Sequence, residues 1–282
     1  MKMSSQDFLN WDSKSLTLLG MSGAGKTTLS SKLAKEKWFH YSGDYRIGTK
    51  YLGEPILDNI KQQAMKVPFL KDLLLSDSIY ICNNITVENL TPISSFLSKL
   101  GNPNLGGLSL DEFKRRQTLH YHAEVAAMLD VGSFIHKAES IYGYKNFIND
   151  AGGSVCELDN QAVLDHLAEQ TLIVYIRTSP EQEQTIINRA KSSPKPLYYR
   201  EDFLDEQLAK FMQQNHYPDT DSIPPDEFVT WVFPELFRSR LPRYQSIADQ
   251  YGYTLDANDV AQVINEEDFI QLIATAIEQQ TT

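Results

Sequence analysis

Several residue types are scarce, and each scarcity excludes something. Cysteine occurs twice in 282 residues, as Cys82 and Cys156, far apart and with no CxxC pair. A disulfide framework is therefore excluded, and both read as reduced thiols packed in the interior of a cytoplasmic protein. No apolar run approaches the ~18 residues of a membrane span, and the polar stretch 1–11 has no signal-peptide core. Basic charge is in deficit: 26 Lys and Arg stand against 37 Asp and Glu, a net charge of −11. That balance argues against a general nucleic-acid or anionic-membrane partner, because phosphate contacts need basic surface. It leaves room for a small basic pocket. Internal repeats and low-complexity tracts are also absent.

What is present is enough for a globular fold. Hydrophobic residues make up 41% and charged residues 22%, so a core can form and broad disorder is excluded. The length predicts two domains, or one domain with a large insertion.

The strongest local signal follows an apolar, β-like run at residues 15–19. It reads Gly20-Met21-Ser22-Gly23-Ala24-Gly25-Lys26-Thr27-Thr28 and fits G-x-x-x-x-G-K-[ST] at every fixed position. Leu29, Leu33 and Ala34 then recur with helical spacing through Lys35. A strand, this loop and a helix in sequence form a phosphate-binding loop. Glycines let the backbone bend so that successive amides of residues 20–28, among them those of Ser22 and Ala24, point into one concavity. The helix adds its positive end. Lys26 reaches the outer phosphates, the Thr27 hydroxyl ligates Mg2+, and Thr28 supports the inner phosphate. The motif denotes a nucleoside triphosphate; by itself it does not separate a kinase from a GTPase, a motor or a switch.

Further strands are expected at 38–41, 145–150, 171–176 and 253–255, and helices at 58–65, 69–75, 110–129, 180–190, 243–250 and 267–279. Residues 78–82 are ambiguous between strand and buried helix, and 191–225 reads as a polar, proline-marked stretch. Alternating strands and helices predict an α/β, three-layer P-loop NTPase fold: a mainly parallel five-stranded sheet with a large, mostly helical insertion. Gly20, Asp44 and Asp150 each follow a strand at its carboxyl end, where open α/β sheets place ligands.

Four further blocks carry a family resemblance. Ser42-Gly43-Asp44-Tyr45 with Arg46 resembles the acceptor-binding turn after the second strand of gluconate and adenylylsulfate kinases. Gly53-Glu54-Pro55-Ile56 with Pro68-Phe69-Leu70 is similar to the gluconate kinase stretch after that turn. Val174-Tyr175-Ile176, Pro180-Glu181, Arg189 and Lys195-Pro196-Leu197 resemble the fourth strand, helix and lid of shikimate kinases. Arg240-Leu241-Pro242-Arg243-Tyr244 and Ala248-Asp249 resemble the arginine-bearing segment after that lid. The chain thus resembles the small P-loop metabolite kinases of the shikimate and gluconate kinase group. It departs from them in its long insertion and in Lys195, where the shikimate kinase lid usually carries arginine.

The resemblance implies ATP with Mg2+, a small-molecule acceptor and phosphoryl transfer to a hydroxyl. Asp44 then reads as the carboxylate that orients or deprotonates that hydroxyl, or as the Asx cap of a turn. Arg46 reads as an acceptor contact or a surface arginine. Asp150 reads as a Walker-B-type acid holding Mg2+ through water, or as a turn residue before Gly152 and Gly153. Those glycines allow close approach to phosphate or acceptor, or form a plain turn. Arg189, Lys195 and Arg240 neutralise charge on the transferred group or are solvated helix charges; Arg189 alternatively stacks on adenine. Lys114-Arg115-Arg116 meets an anionic acceptor or forms a solvated face. His120 and His122 lie on different helix faces and are not a metal pair.

The expected organisation is a nucleotide-binding core with lid over 1–47 and 145–282, and a helical acceptor-binding insertion over 48–144. A function of another class is open: a nucleotide-dependent regulatory switch whose 48–144 insertion binds a protein partner.

Overall fold

The computed structural model describes residues 2–33 and 35–281; Ala34, expected in the first helix, lies outside them. The chain divides into two compact units. One is built from the chain up to Gly43, Glu124–Pro194 and Thr230 onward; the other from Asp44–Ala123 and Lys195–Val229. These divisions differ from the expected insertion limits: residues 124–144 belong with the sheet, and 195–229 with the helical unit. Two of the four dividing points fall inside the helices Leu110–Leu129 and Pro225–Tyr251.

Among the described residues the sheet unit holds five strands: β1 (Ser15–Leu19), β2 (Trp38–Ser42), β3 (Asn146–Asp150), β4 (Leu172–Arg177) and β5 (Gly252–Asp256). Their order is β2-β3-β1-β4-β5, and each neighbouring pair is parallel. The expected P-loop α/β class is the observed one. All five residues of β1 are buried, as a central parallel strand covered on both faces requires. On one face Leu16, Leu18, Ile148, Val174, Ile176 and Leu255 pack with Leu29, Phe269, Ile273 and Ile277. Within the sheet lies a buried polar rung. The Thr17 and Thr171 hydroxyls are 2.8 Å apart, and Asn149 Nδ2 donates to Thr17 Oγ1 at 3.2 Å. Tyr175, next to Val174 and Ile176 on β4, stacks on Tyr244 with centroids 5.4 Å apart.

Register levels the carboxyl ends. Asp150 lies opposite Leu18 of β1 and Ser42 of β2, so the carboxyl ends of β1, β2 and β3 lie side by side. The helix after β1 is shorter than its periodicity predicts, Lys26–Ser31. Ser30 and Ser31 donate their hydroxyls back to Lys26 O and Thr28 O, and the last amides bond three residues back, which tightens and ends the helix.

The helical unit contains Gly53–Ala64, Pro68–Leu75, Thr91–Leu97 and Glu201–Asn215, with the π-helical turn Ile47–Tyr51 ahead of them. Residues 79–86 form neither strand nor helix. Cys82, in that irregular stretch, is exposed rather than packed, whereas Cys156 is buried as expected. The polar stretch after 191 conceals helix Glu201–Asn215. The expected helix at 243–250 is the end of one beginning at Pro225, with Pro234 and Pro242 inside it. Prolines disfavour a helix interior; burial of Phe228, Val232, Leu236, Phe237 and Tyr244 outweighs that preference here.

The basic run 114–116 is neutralised within its own unit. Lys114 pairs with Glu201 and Asp205, Arg115 with Glu112, and buried Arg116 donates to Glu112, Asn59 and the Phe96 carbonyl. It is an internally paired run, exposed at Arg115 and buried at Arg116. Gln117 takes the place of a strand neighbour for residues 197–199, donating to Leu197 O at 3.2 Å and accepting from Tyr199 N at 2.9 Å. His120 is buried and stacks on Tyr198. Among the described residues no helix is long and apolar enough to cross a membrane.

Candidate phosphate-binding site

Three glycines shape the loop after β1. Gly20, Gly23 and Gly25 have φ of 148°, 90° and 98°, values that side chains with a Cβ rarely adopt. At Gly20 there is also no room, because a Cβ would lie 2.8 Å from the Ile176 carbonyl oxygen. Gly25 is the N-cap of helix Lys26–Ser31 and brings no side-chain acceptor to it. A helix start without a side-chain cap is the kind of end that suits an anion. The Ala24 amide turns inward to Met21 O at 3.0 Å, while Ser22 and Gly23 are exposed. Lys26 is buried and folds over the loop, its Nζ donating to Gly20 O at 2.7 Å and Met21 O at 3.2 Å.

The first residue beyond the lysine meets the end of β3. Thr27 Oγ1 donates to Asp150 Oδ2 at 2.6 Å, and His40 Nε2 on β2 is 3.7 Å from the same oxygen. Burial disfavours the Asp150 charge, but the nearby His40 ring, the Lys26 charge and the Thr27 hydroxyl together hold its carboxyl below the usual range. Asp150 therefore remains a carboxylate beside the loop. A hydroxyl and a carboxylate joined on the rim of an amide-lined loop form a donor set of hard oxygens, which suits Mg2+. Among the described residues no group of three or more His, Cys, Asp and Glu side chains could hold a metal by itself.

Two other expected residues lie on this loop. A Cβ on Gly23 would sit 2.5 Å from Arg189 Nη2, so the guanidinium crosses the loop there. A Cβ on Gly153 would lie 3.0 Å from Ser22 N, so the turn after Asp150 abuts the loop backbone. Arg240 is buried and engages the turn that abuts the loop. Its Nε donates to Glu157 Oε1 at 3.1 Å and its Nη1 to Gly153 O at 3.0 Å. Thr28 is exposed on the helix, and Gly152 is buried in the turn.

The sheet unit thus gathers Gly20–Thr28, Asp150, Gly152, Gly153 and Arg189. Asp44, Arg46 and Lys195 belong to the helical unit. There Asp44 is half-buried in the turn Gly43–Arg46, Arg46 lies 5.6 Å over the Tyr51 ring, and Lys195 is exposed before helix Glu201–Asn215. Sequence reasoning did not single out His40, Glu157, Glu124 or Ser154. His40 was accessible in principle, since a parallel β2–β3 register brings it near the end of β3; nothing in the sequence marked the others.

No family model matches the chain, and no curated protein matches its sequence. Among solved structures it is similar to the shikimate kinase from Bacteroides thetaiotaomicron, with a TM-score of 0.42 and 13% identity over 94% of this chain and 98% of that one. It is also similar to the shikimate kinase from Acinetobacter baumannii in complex with shikimate, with a TM-score of 0.40 and 15% identity over 96% and 97% of the two chains. Neither similarity assigns a residue role to this chain.

Proposed function

We propose that the protein is an ATP-dependent kinase that transfers the γ-phosphoryl group to a hydroxyl of a small molecule. The observation that carries the nucleotide half is the Thr27–Asp150 hydrogen bond of 2.6 Å at the mouth of a loop bent by three glycines and crossed by Lys26. Loop amides bind the polyphosphate, and Lys26 exchanges its carbonyl partners for phosphate oxygens. Thr27 and Asp150 hold Mg2+, which when bound draws charge from the phosphate oxygens. Arg189, at Gly23, supplies positive charge to the polyphosphate or a stacking plane to adenine.

The acceptor half rests on the sequence. Asp44, immediately after β2 and Gly43, is assigned to take the acceptor proton, Arg46 to contact the acceptor, and Lys195 to serve the lid. In the transfer the acceptor oxygen bonds to the γ-phosphorus as the bond to the β,γ-bridging oxygen breaks; ADP carries away that electron pair.

Incubation with Mg-ATP and a pooled metabolite extract, read by mass, tests this reading. The expected result is an acceptor-dependent phosphorylated product that disappears in Lys26→Ala and Asp44→Asn. Slow ATP loss with no acceptor product would sink the kinase reading and favour a nucleotide-dependent switch.

A further inference from the structure

The segment between Asp150 and Glu157 contains two adjacent glycines, yet it is held at two successive residues by buried charged groups. Arg240 Nη1 donates to the Gly153 carbonyl at 3.0 Å, and Ser154 Oγ donates to Glu124 Oε2 at 2.7 Å. Arg240 is itself aimed by Glu157, through Nε at 3.1 Å. The two partners are 5% and 1% exposed. One helical turn further on, Arg243 Nε donates to Cys156 O at 2.9 Å and pairs with Asp159. Helix Pro225–Tyr251 therefore fastens the chain on both sides of Glu157.

Desolvation largely offsets the attraction within a buried ion pair, so such a pair adds little net stability compared with apolar side chains of the same volume. What an arginine adds is direction. Its planar fork fixes where the second nitrogen lies once the first is engaged. Here that second nitrogen fixes the Gly153 carbonyl. Gly153 in turn abuts Ser22, close enough that an added Cβ would be 3.0 Å from the Ser22 amide nitrogen and 3.3 Å from its Cβ. A pair of glycines left to itself would sample many conformations.

We infer that Arg240 and Glu157 are positioning residues for the phosphate-binding loop: they act through Gly153 on Ser22, with Glu124 holding the next residue. This gives Arg240 a different task from direct charge neutralisation of the transferred group. The binding readout below rests on the nucleotide reading above; the exchange readout does not.

The test compares wild type, Arg240→Lys and, as a destabilised control, Arg116→Lys, which disturbs a half-buried ion pair of the helical unit. Lysine at 240 can keep a charge near Glu157 but cannot reach two acceptors in fixed geometry. Hydrogen exchange is measured without nucleotide on peptides covering 18–28, and Mg-ATP affinity by calorimetry, both at a temperature where every variant is folded. Arg240→Lys should speed exchange in the loop and weaken Mg-ATP binding about tenfold, the worth of one hydrogen bond to a charged group. Arg116→Lys should lower the melting temperature and change neither loop exchange nor affinity. Loop exchange in Arg240→Lys equal to wild type would overturn the inference. Wild type that fails to bind Mg-ATP would instead overturn the proposed function, while the exchange comparison still decides the positioning role. If Arg240→Lys does not fold, the double variant Arg240→Gln, Glu157→Gln removes both buried charges together and carries the same expectation for exchange.

Discussion

Glu112→Gln tests whether the basic run 114–116 is part of the fold rather than an anion site. Glu112 receives Arg115 Nε at 2.7 Å and Nη2 at 2.9 Å, and Arg116 Nε at 2.7 Å. Hydrogen bonding from Arg115 acts first, burial opposes it, and Arg116 adds to the lowering; the carboxyl is held at about 2, against 4.5 for an ordinary glutamate. Because the folded value is depressed, the stabilisation is fully present above pH 4.5 and is lost as pH falls from there towards about 2. The whole interval corresponds to about 3 kcal/mol at ~1.36 kcal/mol per pH unit. The side chain is 32% exposed, so solvent screening reduces this to about 1–2 kcal/mol. Urea denaturation at pH 7 should show wild type more stable than Glu112→Gln by that amount. At pH 3 about half of the difference or less should remain, because the carboxyl is by then protonated in the unfolded chain, which lowers the cost of unfolding wild type. A difference of the same size at both pH values would refute the electrostatic account of this cluster.

The remaining predictions concern the loop and the thiols. Asp150→Asn and Thr27→Val should each abolish most of the Mg2+ dependence of ATP affinity while leaving metal-free binding to the loop amides; calorimetry with and without Mg2+ reads this directly, and unchanged Mg2+ dependence would refute the assignment. Burial pushes the Cys156 thiol up to about 12, whereas Cys82 is exposed. Native protein treated with iodoacetamide at pH 8 should therefore take one adduct, on Cys82, and denatured protein two, as counted by intact mass.

The legible parts of this chain are those in which a physical requirement is met by residues close together in sequence. The loop 20–28 is of this kind: its glycines, lysine and threonine do their work within one bend, and the adjoining β1 is apolar at three of its five positions. The sheet was legible for a similar reason, because β-like runs alternate with helical spacing. Helix Glu201–Asn215 could have been read as well. Its buried residues Phe203, Leu204, Gln207, Leu208 and Phe211 recur at helical intervals, but surrounding charge and nearby prolines masked the period.

The clamp behind Gly153 was illegible for a different reason. Arg240 and Glu157 are 83 residues apart, and the block that marks Arg240 in the sequence says nothing of Glu157; only the packing of helix Pro225–Tyr251 brings them together. The same limit governed the basic run. Lys114-Arg115-Arg116 carries its three charges in sequence, but its partners Asn59, Glu201 and Asp205 come from distant segments, so local charge could not tell a ligand site from a scaffold. Phosphate-facing residues announce themselves because one ligand imposes one spacing. The residues that hold those groups in place obey only the space left by the rest of the fold, and there the packing of distant segments decides which arginine points where.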